Sequence, residues 1–383
     1  MRRQIAIIGS GPAGLMAADV LASQNYEVRI YEKRKRAAWK LYIAGSSGLN
    51  ITNNLDMQTF LSHYTGPHEF WKRCLINFSP HDWIQFIEKK LGLGTFLGTS
   101  GRYFLETMHA AKLIRVWKKR LEDLGVQFFF DHECVNFENQ NSQVELFFSN
   151  KKSHLYSSVY FALGGASWEK TEIRWPSMFI SKGISFSEFK ASNTGYEVVW
   201  KEGFIKESEA KPLKNILLKS SKGERKGDLV VTSYGLEGTP VYFFGEIGMI
   251  TLDLKPDLSE AEIYKKLSSS KENLSTIRRV KKYLNLCEAS NSLIFHYTST
   301  KDLRKLAHII KNFPLEFKNP RPLSESISSK GGIAWSEVDE DLMLRKFPNV
   351  YCLGEMLDWD APTGGFLIQA CVSHGAWAVH NSR

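Results

Sequence analysis

The sequence predicts an α/β protein in which a parallel-sheet domain is interrupted by an inserted β-rich domain and a small helical insertion. Three observations predict it. An apolar run at residues 5–8 leads into Gly9-Ser10-Gly11-Pro12-Ala13-Gly14, then an Ala-rich stretch, then a second apolar run that ends at Glu32. From about Glu188 the texture changes to short β-like pieces parted by turns. Near the C-terminus the pattern of apolar run and glycines returns, with residues 350–353 followed by Gly354-Glu355 and Pro362-Thr363-Gly364-Gly365.

The first run reads as a buried strand, and the glycines after it have the spacing of a Rossmann-like dinucleotide-binding turn. Gly9 permits the sharp strand-to-helix reversal, Gly11 lets the backbone approach a pyrophosphate, and Gly14 lets the helix sit close on the strand. Pro12 and Ala13 open a helix to about Ser23 whose positive N-terminus faces the phosphates. The strand at 27–31 delivers Glu32, placed to accept hydrogen bonds from an adenosine ribose and to repel a 2′-phosphate. Leu113, Val116, Trp117 and Leu121 recur at helical spacing over 110–124; Gly125 stops that helix, and a strand follows at 126–130. Strand-like runs at 144–148 and 155–163 end at Gly164-Gly165-Ala166-Ser167, a second place where such a domain approaches its dinucleotide.

The inserted region reads as strands at 196–200, 216–219, 228–232, 241–244 and 249–252. Residues 259–299 are helical in pattern and locally basic, and a last helix covers about 367–378. The expected domains are a discontinuous dinucleotide-binding domain at 1–187 and 323–383, a β-rich substrate domain at 188–257 and 300–322, and a helical insertion at 258–299.

Composition bounds the class. The 383 residues are 43% hydrophobic and 24% charged, the make-up of a soluble enzyme of two or three domains. No run of about twenty apolar residues is present and the N-terminus enters a strand, so no membrane association and a cytoplasmic location are expected. The five cysteines (Cys74, Cys134, Cys287, Cys352 and Cys371) are odd in number and show no Cys-x-x-Cys, and the histidines show no His-Glu-x-x-His. Neither a disulfide framework nor a metal site is expected. Lys and Arg number 50 against 41 Asp and Glu, a net charge of +9, which favours an anionic partner, RNA included. Basic clusters at 33–36, 118–120 and 278–282 are candidate phosphate contacts, although solvated faces also produce such clusters. Oligomeric state leaves no mark in the sequence.

The returning C-terminal pattern separates two cofactors. FAD folds bring the ribityl chain and isoalloxazine against a late strand-Gly-acid turn and the helix start after it, the order of Gly354-Glu355 and Pro362-Thr363-Gly364-Gly365-Phe366. Gly364 and Gly365 would bring backbone N–H groups to the flavin N1/C2=O edge, where the helix dipole favours the anion formed on reduction. A helix start capped by Thr363 accounts for the threonine but not for both glycines. No second strand-GxGxxG-helix unit exists, because Gly245-Glu246-Ile247-Gly248 lacks the spacing and the helix. Tightly bound FAD is therefore expected, with NAD(P)H as a transient electron donor.

With Gly9 to Gly14, Lys40-Leu41 and Gly48-Leu49-Asn50-Ile51-Thr52, Leu163-Gly164-Gly165-Ala166-Ser167-Trp168, Tyr234-Gly235-Leu236-Glu237-Gly238 and Gly354 to Gly365 in order, nearly the whole chain resembles the YhiN/BaiN/RdsA-like FAD-dependent flavoproteins. It is most similar to the branch carrying Gly-Glu-Met-Leu-Asp-Trp and Ala-Pro-Thr-Gly-Gly near the C-terminus. The resemblance implies an FAD fold with inserted β and helical domains, and reduction of a carbon–carbon double bond. Members are linked to the reduction of uridine to dihydrouridine in ribosomal RNA and to steroid-like substrates in bile-acid metabolism. Where much of the family has Gly-Gly-Arg-Cys-Asn this chain has Ser46-Ser47-Gly48-Leu49-Asn50, so a mechanism using that cysteine as acid cannot operate. Where relatives have Gly-Arg-Val-Phe-Pro and a later lysine, it has Gly101-Arg102-Tyr103-Phe104-Leu105 and His109.

The expected cofactor-binding residues are Gly9, Gly11, Pro12, Ala13, Gly14, Glu32, Lys40, Asn50, Gly164, Gly165, Gly354, Glu355, Asp358, Thr363, Gly364, Gly365 and Phe366. Hydride transfer from reduced FAD needs no side-chain catalyst, but the second carbon must be protonated. Arg102, His109 and Lys40 are the catalytic candidates, with Tyr234 and Asp358 as further proton donors. Each has an ordinary alternative: a surface salt bridge for Arg102, a structural or solvated side chain for His109 and Lys40, a turn cap for Asp358. Three functions compete: an FAD-dependent reductase of uridine in ribosomal RNA, a reductase of a small apolar or steroid-like unsaturated molecule, and a flavin-dependent RNA-binding protein without turnover.

Overall fold

The computed structural model describes residues 3–45, 48–169, 173–269 and 274–380. The chain divides into two compact units, one formed by the described parts of 1–190 and 328–383 and the other by those of 191–327.

The first unit is built on strand β1 (Gln4–Ile8), which leads through the glycine loop into helix α1 (Pro12–Ser23) and strand β2 (Glu27–Tyr31). Helix α2 (Ala110–Asp123) and strands β3 (Gln127–Phe129), β4 (Ser158–Phe161) and β5 (Val350–Cys352) follow, and helix α3 (Phe366–His380) ends the unit. The strands form one parallel sheet in the order β5-β4-β1-β2-β3. β1 is apolar on both faces because both are covered. Ile8 is level with Tyr31 and Phe161, and on that face an antiparallel meander (Cys134–Gln140, Gln143–Phe148, Ser153–Tyr156) packs Phe137 against Phe161 and Phe148 against Tyr31. Ile7 faces the other way, toward α1. The small residues of α1 let it lie close to α3, and Asp19 on α1 accepts two hydrogen bonds from the Arg120 guanidinium of α2, at 2.9 and 3.0 Å. The run expected as one strand at 155–163 is two strands, one ending the meander at Tyr156 and one beginning β4 at Ser158.

A smaller antiparallel sheet (Asn50–Asn53, Arg102–Leu105, Thr95–Leu97) belongs to the same unit. Its first strand packs on the start of α3: Thr52 Oγ1 donates to Gln369 Oε1 at 2.8 Å.

The second unit is a six-stranded sheet whose neighbours all run antiparallel, formed by Tyr196–Glu197, Gly235–Glu237, Gly223–Thr232, Pro212–Ser220, Gly248–Asp253 and Phe313–Phe317 in that order. The expected separate helical domain is not distinct. Ile263, Leu267, Val280, Leu284, Leu293 and Ile294 from the helical stretch share one hydrophobic core with Leu213, Leu218, Leu229 and Leu252 of the sheet; each helix has one apolar stripe, and the sheet face is where those stripes are buried. The expected strand at 241–244 is part of helix Thr239–Phe244, because Gly238 permits the turn into it, with φ of +125°, and Pro240 sets a helical first turn.

Candidate functional site

The C-terminal edge of β1 and the N-terminus of α1 form one wall of an open cleft. Gly9 sits at φ +103°, and a Cβ there would meet the Ala162 carbonyl oxygen at 2.3 Å, so only glycine allows β1 to turn against β4. No side chain caps α1 and no acidic residue lies in its first turn, which leaves its amides to an external anion. The place where a Cβ of Gly11 would stand has nothing within 4 Å. This bare helix end, open at the second glycine, fits a pyrophosphate. Glu32, at the end of β2, lines the same cleft. Its carboxylate accepts from Ser10 N at 3.1 Å, Ser10 Oγ at 2.5 Å and Arg34 N at 2.9 Å.

The opposite wall joins Lys40, Gly164 and Gly165 to Gly354-Glu355. Lys40 Nζ donates to the Gly165 carbonyl at 2.7 Å, while the Gly165 amide donates to Glu355. Burial lowers the Lys40 pKa and raises that of Glu355, and each charge partly offsets the other's desolvation. Ser329 Oγ accepts from Ala166 N at 2.8 Å and fixes the turn after Gly165. Gly354 N–H donates to His374 Nδ1 at 3.1 Å. That imidazole is fully buried among Trp71, Phe70, Trp335 and Trp359, and burial depresses its pKa to about 3. It is therefore a neutral acceptor that holds the Gly354 turn. Cys134 and Cys371 also line the cleft; burial pushes the first thiol up to about 12 and the second well above its ordinary value, so both stay protonated.

A second group of residues lies where the small sheet meets the start of α3. Gly365 has φ of +91°, and a Cβ there would lie 2.5 Å from Thr52 Cα. Asn53 Nδ2 donates to the Gly364 carbonyl at 3.4 Å, and Arg102 Nε is 3.7 Å from the Cβ position of Gly364. Arg102 is half-buried, and that burial lowers its pKa. The buried Asn50 Oδ1 has no hydrogen-bond partner, which suits a strand whose polar groups await a ligand.

Of the residues expected from sequence, the cleft gathers Gly9, Gly11, Pro12, Ala13, Glu32, Lys40, Gly164, Gly354 and Glu355. Gly14 lies behind it, packed on the Gly9 carbonyl. Asn50, Gly364 and Gly365 belong to the second group with Arg102, and Thr363 precedes it in the chain. Phe366 opens α3 with its ring buried against Phe60 and His63, a packing residue. Three candidates lie apart from the cleft. Asp358 Oδ2 accepts from Ser187 Oγ at 2.6 Å, and Asp358 stands outside the cleft lining. His109 is exposed in the position before α2 and also lies outside the lining. Tyr234, in the second unit, donates to Glu237 and stacks beneath Arg321. Much of the charge in two basic clusters is already paired: Lys33 and Arg34 with Glu169, Lys118 and Lys119 with Glu122 and Asp123, and Arg120 with Asp19. Ser46 and Ser47, where the chain departs from its relatives, lie outside the described residues. Sequence reasoning missed Ser10, whose place inside the glycine loop was a signal, and His374 and Ser329, which had none.

Bare helix end, ribose-facing acid and returning glycine turn are those of an FAD-dependent oxidoreductase with a Rossmann-type domain. The family model described as HI0933-like protein Rossmann domain matches residues 3–381, and the chain belongs to that family. A ribosomal RNA dihydrouridine synthase of Haemophilus influenzae is 23% identical over 194 residues, 50% of this chain and 43% of that one; the match thus spans less than half of the curated relative's length. The 3-ketosteroid Δ1-dehydrogenase of Sterolibacterium denitrificans aligns over 99% of both chains with a TM-score of 0.52 and 10% identity. The 3-ketosteroid Δ4-(5α)-dehydrogenase of Rhodococcus jostii RHA1 aligns over 99% of this chain and 96% of its own, with a TM-score of 0.51 and 13% identity. These two likenesses are of fold. Among the described residues no helix is long and apolar enough to cross a membrane, and no three metal-ligating side chains gather.

Proposed function

We propose that the protein reduces a carbon–carbon double bond, fuelled by NAD(P)H, and that its substrate is uridine in ribosomal RNA. The substrate rests on one observation, the sequence match to the Haemophilus influenzae ribosomal RNA dihydrouridine synthase. The steroid dehydrogenases, at 10–13% identity, support the fold and lend nothing to a steroid substrate.

Bound FAD supplies the hydride, and the remaining work falls to this chain. The α1 amides and Gly11 hold the pyrophosphate, and Glu32 takes the ribose hydroxyls. Arg102, beside Gly364, binds a carbonyl oxygen of the substrate ring and draws charge from the double bond. Lys40 Nζ holds the proton for the second carbon: burial moves it and Glu355 toward neutrality from opposite sides, the shift a proton carrier needs.

The test is quantitative mass spectrometry of dihydrouridine in purified ribosomal RNA from a parent strain, a strain lacking this gene and one with the gene restored. Loss in the second and recovery in the third is the expected result. An equal content in all three overturns the RNA substrate and leaves a small unsaturated molecule as the reading to pursue.

A further inference from the structure

The second unit carries a groove that the redox site does not use. Helices Thr276–Leu284 and Glu288–Tyr297 flank an open groove. On its wall Phe295 is 57% exposed, a large ring left in water, and Ile277 and Leu286 add apolar lining. Asn291 is 8% exposed. Its Nδ2 donates to the Leu286 and Cys287 carbonyls at 2.9 and 3.1 Å, which orients the amide and leaves Oδ1 without a partner. The Glu207 and Glu288 carboxylates add further acceptors, and Lys281 stands exposed at the edge. A neighbouring groove shares Leu286 and Glu288 and continues to Lys214 and Lys255.

We propose that the two grooves together hold single-stranded RNA, with one unpaired base stacked on Phe295 and its phosphates passing Lys281 on one side and Lys214 on the other. An aromatic face beside hydrogen-bonding groups that reach a base edge is how unpaired bases are read. The Glu207 and Glu288 carboxylates at the groove accept hydrogen bonds, so a base held here would present a donor to them, an exocyclic amine or an imide N–H. The groove grips one unpaired nucleotide of the strand. A mononucleotide would fill only the first groove, whereas Lys214 beyond Leu286 extends the basic path along a strand. That the polymer is RNA rests on the function proposed above.

The experiment is fluorescence anisotropy of a labelled, mixed-sequence single-stranded RNA with the full FAD-loaded chain across a salt series. Phe295→Ala is expected to weaken binding about tenfold, and Phe295→Trp to restore it. Lys281→Ala should reduce the slope of log affinity against log salt by about 0.7. Both side chains are surface groups, and circular dichroism with the urea transition of the second unit reports that each variant is folded. Wild-type affinity and slope in the two variants, or no binding by the wild type, overturns the proposal. Equal competition by a free nucleoside monophosphate also overturns it, in favour of a mononucleotide site. If the groove variants lose RNA while dihydrouridine is unchanged in the gene-deletion strain, the groove stands and the uridine reading fails. If dihydrouridine is lost on deletion but groove variants bind normally, the reverse holds.

Discussion

Acid should loosen this fold through His374. The imidazole is fully buried, accepts from Gly354 N–H and has its pKa depressed by burial to about 3, against 6.5 for the free side chain. Between those values the unfolded chain binds a proton that the folded chain refuses, so the histidine's contribution is complete above pH 6.5 and is lost as pH falls toward 3. At 1.36 kcal/mol per pH unit, acidification from 6.5 to 4.5 removes about 3 kcal/mol. His374→Asn isolates the effect: Asn Oδ1 can still accept from Gly354 but does not titrate, while the smaller side chain leaves a cavity costing about 2 kcal/mol at neutral pH. The variant should be the less stable protein at pH 7.5, and the gap should close and reverse by pH 4.5. Urea unfolding followed by tryptophan fluorescence reads this, with the transitions of the two units fitted separately. A gap that stays constant with pH would refute the reasoning, because it would show that the imidazole is already solvated or charged in the folded protein.

Three other outcomes follow from the geometry. Gly365→Ala forces an L-residue to φ +91° with its Cβ 2.5 Å from Thr52 Cα; a loss of about 3 kcal/mol is expected by urea denaturation, with released flavin found after gel filtration. Asp19→Ala leaves Arg120 without its carboxylate at a contact where the aspartate side chain is only 5% exposed; about 2 kcal/mol should be lost, and Asp19→Ala with Arg120→Met should recover part of it in a double-mutant cycle. In single-turnover reoxidation of reduced flavin by substrate RNA, Arg102→Ala should slow the reaction at least tenfold while His109→Ala leaves it unchanged, because the arginine lies beside Gly364 and the histidine is exposed before α2.

The halves of this fold were unequally legible. Helix Pro12–Ser23 and strand Glu27–Tyr31 could be read to the residue, because a glycine turn, a proline at the helix start and a buried parallel strand are all local signals. Residues 241–244 could not: Val-Tyr-Phe-Phe has strand propensity, and the decision for helix lies in Gly238 and Pro240 before it and in the burial of Val241 by the sheet. The helical stretch was visible as helix but not as part of the β core, since which sheet face buries Val280 or Leu293 is a long-range fact. In the site, the glycine positions were legible and the side-chain partners were not. Nothing local ties Asp358 to Ser187, 171 residues away, or Gly354 to His374, 20 residues away.

Charge shows most clearly why sequence alone misassigns such a chain. Clusters 33–36, 118–120 and 278–282 look alike as strings, yet Arg120 is spent on Asp19 and Lys33 and Arg34 on Glu169, while Arg278 and Lys281 stand exposed. A positive charge already paired gains little from a phosphate, because the new contact must repay the lost one. The cleft follows the same rule from the other side. Burial raises the pKa of its thiols and makes them poor proton donors, so neither stands in for the cysteine absent from the Ser46-Ser47-Gly48-Leu49-Asn50 segment. On the function proposed above, proton delivery falls to the Lys40 amine, whose pKa burial lowers, rather than to a thiol.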